Sequence, residues 1–157
     1  MGKKSVKPNK NIYQLSREAA GLSREAAGEL LPFMSPDRVE RIENEKSLPD
    51  PEEVLSMAEC YRDAGLVNRY CTEECPIGKK YVPKADEKEL PLIALEVVNA
   101  VNRLEKEKNR LIEIALDNRV NEDEQQDFER ILDELNKISE SVQTLKLWME
   151  QKKLEGK

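Results

Sequence analysis

LSREAAGELLPFMSPDRVERIENEKSLPDPEEVLSMAECY, residues 22–61, is punctuated as a run of short helices. Ser23 precedes a helix-forming stretch, and its hydroxyl can accept from a free amide of the first turn. Pro32 stops that helix. Ser35-Pro36 restarts the chain with a cap followed by proline at the first helical position, where its missing N–H is no loss. Asp50-Pro51-Glu52-Glu53 repeats the device, with two acids facing the positive end of the helix dipole. Working outward, helices are predicted over 10–20, 23–31, 36–45 and 51–63, with a fifth near 66–72 after Gly65.

The heptapeptide LSREAAG occurs twice in tandem, at Leu15–Gly21 and Leu22–Gly28. The two copies must do different work, because Gly21 falls at the end of one helix and Gly28 inside the next. A glycine within a helix costs about 1 kcal/mol against alanine. It is tolerated mainly where another backbone passes close.

Beyond residue 72 the pattern changes. Residues 73–89, with two prolines, a glycine and many charges, read as a linker. Then Leu90, Ile93, Val97, Ala100, Leu104, Glu107, Leu111 and Ile114 alternate steps of three and four. Phe128, Ile131, Leu135, Ile138, Val142, Leu145 and Met149 repeat the alternation. Two such seams predict long helices near 91–117 and 122–154. The break at Asp117–Asn121 is short, which folds them back antiparallel, and Asn121 is a candidate cap for the second. Val98, Val101, Ile112, Leu132 and Trp148 widen the stripes, leaving surplus apolar surface for a further partner. A second copy making a four-helix bundle is the simplest supplier. The expected self-association residues are Val97, Leu104, Leu111, Phe128, Leu135, Val142 and Trp148.

Composition narrows the function. Apolar residues (38%) barely outnumber charged ones (37%), and there are only two Phe, four Tyr and one Trp, which favours striped helices over a thick sheet-centred core. The 157 residues contain no histidine, removing the commonest general base and zinc ligand, so an enzyme is not expected, and neither is a cofactor. No apolar run approaches the roughly 20 residues that span a bilayer, and the start MGKKSVKPNK lacks the apolar stretch of a secretory signal. A soluble cytoplasmic protein is the expectation, and three cysteines in that compartment argue for reduced thiols. Net charge is −6. Residues 1–80 carry 13 Lys/Arg against 14 Asp/Glu, and residues 81–157 carry 13 against 18, so any contact with a polyanion must come from a local patch.

The stretch Leu22–Tyr61 resembles the helix-turn-helix core of Cro/repressor-type (Xre family) regulators. Leu22-Ser23 and Glu25 match the family's start, Ser35, Val39 and Ile42-Glu43-Asn44 its recognition helix, and Lys46, Leu48 and Pro49 before Glu53-Val54-Leu55 its exit. Arg41-Ile42-Glu43-Asn44-Glu45-Lys46 is the most specific element, and the resemblance covers residues 10–72. It departs from the pattern in three places. Arg24 stands where glutamine is usual, the turn Pro32-Phe33-Met34 is one residue longer, and Glu45 replaces the glycine that ends the third helix.

The resemblance implies a five-helix lambda-repressor-like helix-turn-helix domain over 10–72. With the linker (73–89) and the long antiparallel hairpin (90–154) that the heptads predict as the homodimerisation region, the whole chain is expected to be all-α. The resemblance further implies a sequence-specific regulator of double-stranded DNA, while the composition leads to the expectation of no membrane partner and shows no evident small-molecule substrate. The third helix would lie in the major groove, where Arg38 or Arg41 could donate two hydrogen bonds to guanine, Asp37 could accept from cytosine, and Ser35 opens the face. Arg24 would hold a phosphate, and Lys3, Lys4, Lys7 and Lys10 could form a basic arm. A dimer would set two such helices one DNA turn, roughly 34 Å, apart. That face is acidic for the task, with Asp37 and Glu40 on it. The alternative is therefore a protein-interaction adaptor on the same scaffold that no longer binds DNA. Glu43 reads as a structural ion-pair partner. Cys60, Cys71, Cys75 and Glu74 invite a zinc reading but read better as packed thiols. Asp117–Glu124 resembles half of a calcium loop and reads better as a helix cap.

Overall fold

A computed structural model describes residues 9–156, and among these all regular secondary structure is helical. The helices are α1 (Ile12–Ala19), α2 (Arg24–Leu30), α3 (Pro36–Glu43), α4 (Pro51–Tyr61), α5 (Gly65–Glu73), α6 (Gly78–Tyr81), α7 (Leu90–Ala115) and α8 (Gln125–Glu155). The chain divides into two units, Met1–Val82 with Glu150–Lys157, and Pro83–Met149.

In the first unit each cap read from the sequence is made. Ser23 accepts from the Ala26 N–H and Ser35 from the Arg38 N–H. Asp50 accepts from the Glu53 N–H at 2.8 Å while the Glu53 carboxylate accepts from the Asp50 N–H at 2.9 Å, a reciprocal capping box. Three helices end alike. Gly21 after α1, Glu45 after α3 and Arg62 after α4 are all left-handed, at φ 73°, 59° and 56°. Each is followed by a residue whose N–H bonds back five positions, to the carbonyls of Arg17, Arg41 and Ala58. Only the first uses glycine, so the repeated heptapeptide does split its work as its placement requires. A Cβ on Gly28, inside α2, would sit 2.6 Å from Cδ of Pro36, and the missing side chain is what lets α3 start against α2.

The core follows from the helix stripes: Tyr13 of α1, Ala27 of α2, Val39 and Ile42 of α3, Val54, Met57 and Tyr61 of α4, and Leu66 of α5 are buried together. The stretch read as a linker is partly structured. α6 lies within it, seated so closely on α5 that a Cβ on Gly78 would meet the Cys71 carbonyl oxygen. The terminal residues from Glu150 also group with this unit, where Gln151 accepts from the Ala64 N–H at 3.0 Å and donates to the Arg62 carbonyl.

In the second unit α7 buries Ile93, Ala100 and Ile114, as its heptads require. Glu107, the polar interruption, accepts from Arg130 at 3.0 Å. With Arg103–Glu134 and Arg110–Asp127, both 2.7 Å, it forms a ladder in which steps of four and three along α7 are matched by the same steps back along α8. The α8 seam differs from its reading. Ile131 is fully buried, but Leu135, Val142 and Met149 are 37%, 37% and 48% exposed, and Ser141 and Thr144 are buried in their place. The segment before α7 crosses this face, with the Asp86 N–H donating to Thr144 Oγ1, and a heptad count has no access to such a contact. Of the expected self-association residues, Val97, Leu104, Leu111, Phe128 and Trp148 are half-buried, and Leu135 and Val142 are exposed. Asn121 does not cap α8 with its side-chain oxygen, although its backbone carbonyl accepts from the Glu124 N–H at 3.0 Å. The Glu124 carboxylate takes both Asn121 amide groups, and the helix starts at Gln125.

Candidate nucleic-acid interface

α3 turns Val39, Ile42 and Glu43 inward and leaves Ser35, Pro36, Asp37, Glu40 and Arg41 exposed. The buried Glu43 carboxylate is held by two arginines. Arg17 of α1 donates Nε to Oε1 at 2.6 Å and a terminal nitrogen to Oε2 at 2.9 Å, and Arg24 of α2 donates Nε to Oε2 at 2.8 Å. Burial alone would lower the Arg17 pKa, but hydrogen bonding and charge from Glu43 outweigh it and leave it raised. Arg17 also donates to the Leu22 carbonyl at 2.6 Å. One carboxylate thus ties three helices together and fixes the angle at which α3 is presented, in keeping with the structural reading of Glu43.

Arg38 is engaged within the fold. Its Nε and a terminal nitrogen grip both Glu53 oxygens at 2.7 and 2.6 Å, and its remaining donors reach Ser47 Oγ at 2.7 Å and the Leu48 carbonyl at 3.0 Å. The bonds to Glu53 raise the Arg38 pKa, and Arg38 in turn holds the Glu53 carboxyl below its usual range. The side chain locks the α3–α4 loop instead of pointing outward. The fifteen-residue separation from Glu53 offers no periodic signal from which the pair could be found. Arg24 is partly exposed and also meets exposed Glu40 at 3.4 Å. Arg41 is exposed, with no ion pair to another described residue. Lys10 is paired with Glu18, and Lys3, Lys4 and Lys7 lie outside the described residues.

Two further residues frame the face. Phe33, at the tip of the α2–α3 turn, is left-handed (φ 63°) and 104% exposed. A left-handed non-glycine residue costs roughly 1–2 kcal/mol, and such strain concentrates where a site requires it. Glu45 takes the left-handed place as well, so its departure from the glycine of the family pattern leaves the helix end unchanged in shape. Cys60, Cys71 and Cys75 are free, half-buried thiols, and burial pushes the first two up in pKa. Among the described residues no group of three or more His, Cys, Asp or Glu is arranged to hold a metal ion.

The N-terminal geometry is that of a helix-turn-helix domain, and residues 14–64 match the family model described as a helix-turn-helix domain. The match covers less than half of the chain and includes every residue of the α3 face. No curated protein and no solved structure matches the chain. No helix among the described residues is long and apolar enough to cross a membrane.

Proposed function

We propose that this protein is a sequence-specific DNA-binding transcriptional regulator of the Xre type, dimeric through its long hairpin and acting in the cytoplasm. The observation that carries the reading is the exposed start of α3 in a helix-turn-helix domain, with Ser35 exposed at its N-terminal end and Asp37 and Arg41 one turn apart on its exposed side. Arg41 is the base-reading cation, suited to donate two hydrogen bonds to a guanine edge, with Asp37 accepting from cytosine. Arg24 is the phosphate contact, its long pair with Glu40 being the loosest of its bonds. Arg38 serves by holding the α3–α4 loop in place. A non-catalytic role agrees with a chain that lacks histidine.

Selection of random duplexes on the purified protein tests this. A consensus sequence should emerge, with an affinity that falls steeply as salt rises, because each phosphate contact releases counterions. A second reading is favoured by one observation, the neutralisation of Arg24 and Arg38 by Glu43 and Glu53. On that reading the domain is a protein-interaction adaptor, and no duplex binding is found even at low salt.

A further inference from the structure

The hairpin carries a second pair of stripes, apolar except at Glu105, Lys108 and Gln125, that its own packing leaves mostly uncovered. On α7, Val98, Val101, Glu105, Lys108, Ile112 and Ala115 recur at steps of three and four, and all are exposed. On α8, Gln125, Phe128, Leu132 and Leu135 do the same, with Phe128 half-buried and the others exposed. At about 100° per residue each stripe is turned by roughly a right angle from the seam joining α7 to α8. Both turn in the same sense along their own helices, and because the helices are antiparallel the two stripes open on one face.

We infer that this face is covered by a second copy of the chain, paired about a two-fold axis that crosses the helices, with α7 antiparallel to the partner's α7 and α8 antiparallel to the partner's α8. The inference rests on the dimeric reading above and specifies its interface. Its warrant is that the α7 stripe complements its own reverse. Read backwards against itself, Val101 meets the partner's Ile112, Val98 meets the partner's Ala115, and Glu105 meets the partner's Lys108. The two charges that interrupt the apolar stripe therefore neutralise each other across the axis. Within one chain they already contact each other as an exposed pair.

The α8 stripe supplies an independent check. The α7 pairing puts the axis between Lys106 and Glu107, and the ion-pair ladder sets Glu107 level with Arg130. On α8 the reversed pairing of Phe128 with the partner's Leu132, and of Gln125 with the partner's Leu135, has its centre at Arg130. The two centres agree to within about one residue's rise of 1.5 Å. A single axis thus serves both stripes, as an isologous interface requires.

The test uses the full chain, with mass in solution followed by light scattering and native mass spectrometry. Glu105→Lys and Lys108→Glu each place like charges across the axis and should each weaken the dimer by about tenfold or more, with helical content unchanged. Mixed together, the two variants should form heterodimers in excess of the statistical half, and the double exchange should restore the wild-type dimer. A wild-type dimer whose single variants associate as before, or mix without preference, overturns this interface and leaves the dimeric reading standing. A wild type that is monomeric at every concentration removes both and assigns the stripe to a different partner. DNA binding is measured separately and decides neither.

Discussion

Glu45 and Arg41 lie four positions apart at the end of α3, and they separate stability from function. Glu45 sits in the left-handed slot where glycine is free of strain. Glu45→Gly should therefore stabilise the protein by about 1 kcal/mol, read as a higher urea midpoint with unchanged slope. Arg41 is exposed and should be nearly neutral for folding, within about 0.5 kcal/mol, whereas Arg41→Ala should cost about 1–3 kcal/mol in binding to the selected duplex. Arg38→Ala should do the reverse, lowering stability by about 1–3 kcal/mol because it strips hydrogen bonds from a half-buried carboxylate. If Arg38→Ala left the denaturation curve in place, the clamp described above would be wrong. Arg41's exposure follows from helix periodicity and was legible in the sequence. The engagement of Arg38 was not, since Glu53 and Ser47 come from the loop and helix that follow.

Between elements, the contact of α2 with α3 and the grip of α3 on α4 decide how the candidate face is presented. Gly28→Ala would ordinarily gain helix propensity, but its new methyl meets the Pro36 ring. A net loss of about 1–2 kcal/mol is expected, with the thermal midpoint falling. The Glu53–Arg38 pair predicts an acid response. The folded-state pKa of Glu53 is depressed, so its contribution is fully present above the unfolded value of about 4.3 and is lost as pH falls through the lower folded value. Denaturant midpoints followed downward from pH 6 should drop in that range, and Glu53→Gln should flatten part of the drop. The caps at Ser23, Ser35 and Asp50 were legible because a cap is a local bond between residues two or three apart. The shift of the α8 seam was not, because the segment around Asp86 that covers Thr144 comes from elsewhere in the chain.

For the molecule as a whole, two helical units are joined in one chain, and the proposed dimer makes stability depend on concentration. A hairpin stabilised by its second copy should unfold at a temperature that rises with protein concentration, by mass action. A midpoint that stays constant over a hundredfold range of concentration would count against association. The candidate DNA face lies wholly in the first unit and the apolar stripes in the second, so substitutions at Arg41 should leave the solution mass unchanged.

The order of amino acids by itself determined the all-helical class, the position of nearly every helix end in the first unit, the special place of Gly28 and the antiparallel hairpin. Each of these follows from short-range bonds or from a period repeated along one helix. Tertiary structure alone decided which charges remain available. It drew Arg24 onto Glu43 and Arg38 onto Glu53 and left Arg41 open. It also set which stripe of α8 faces inward, because ion pairs and cross-segment contacts form between residues whose separation in the chain carries no pattern.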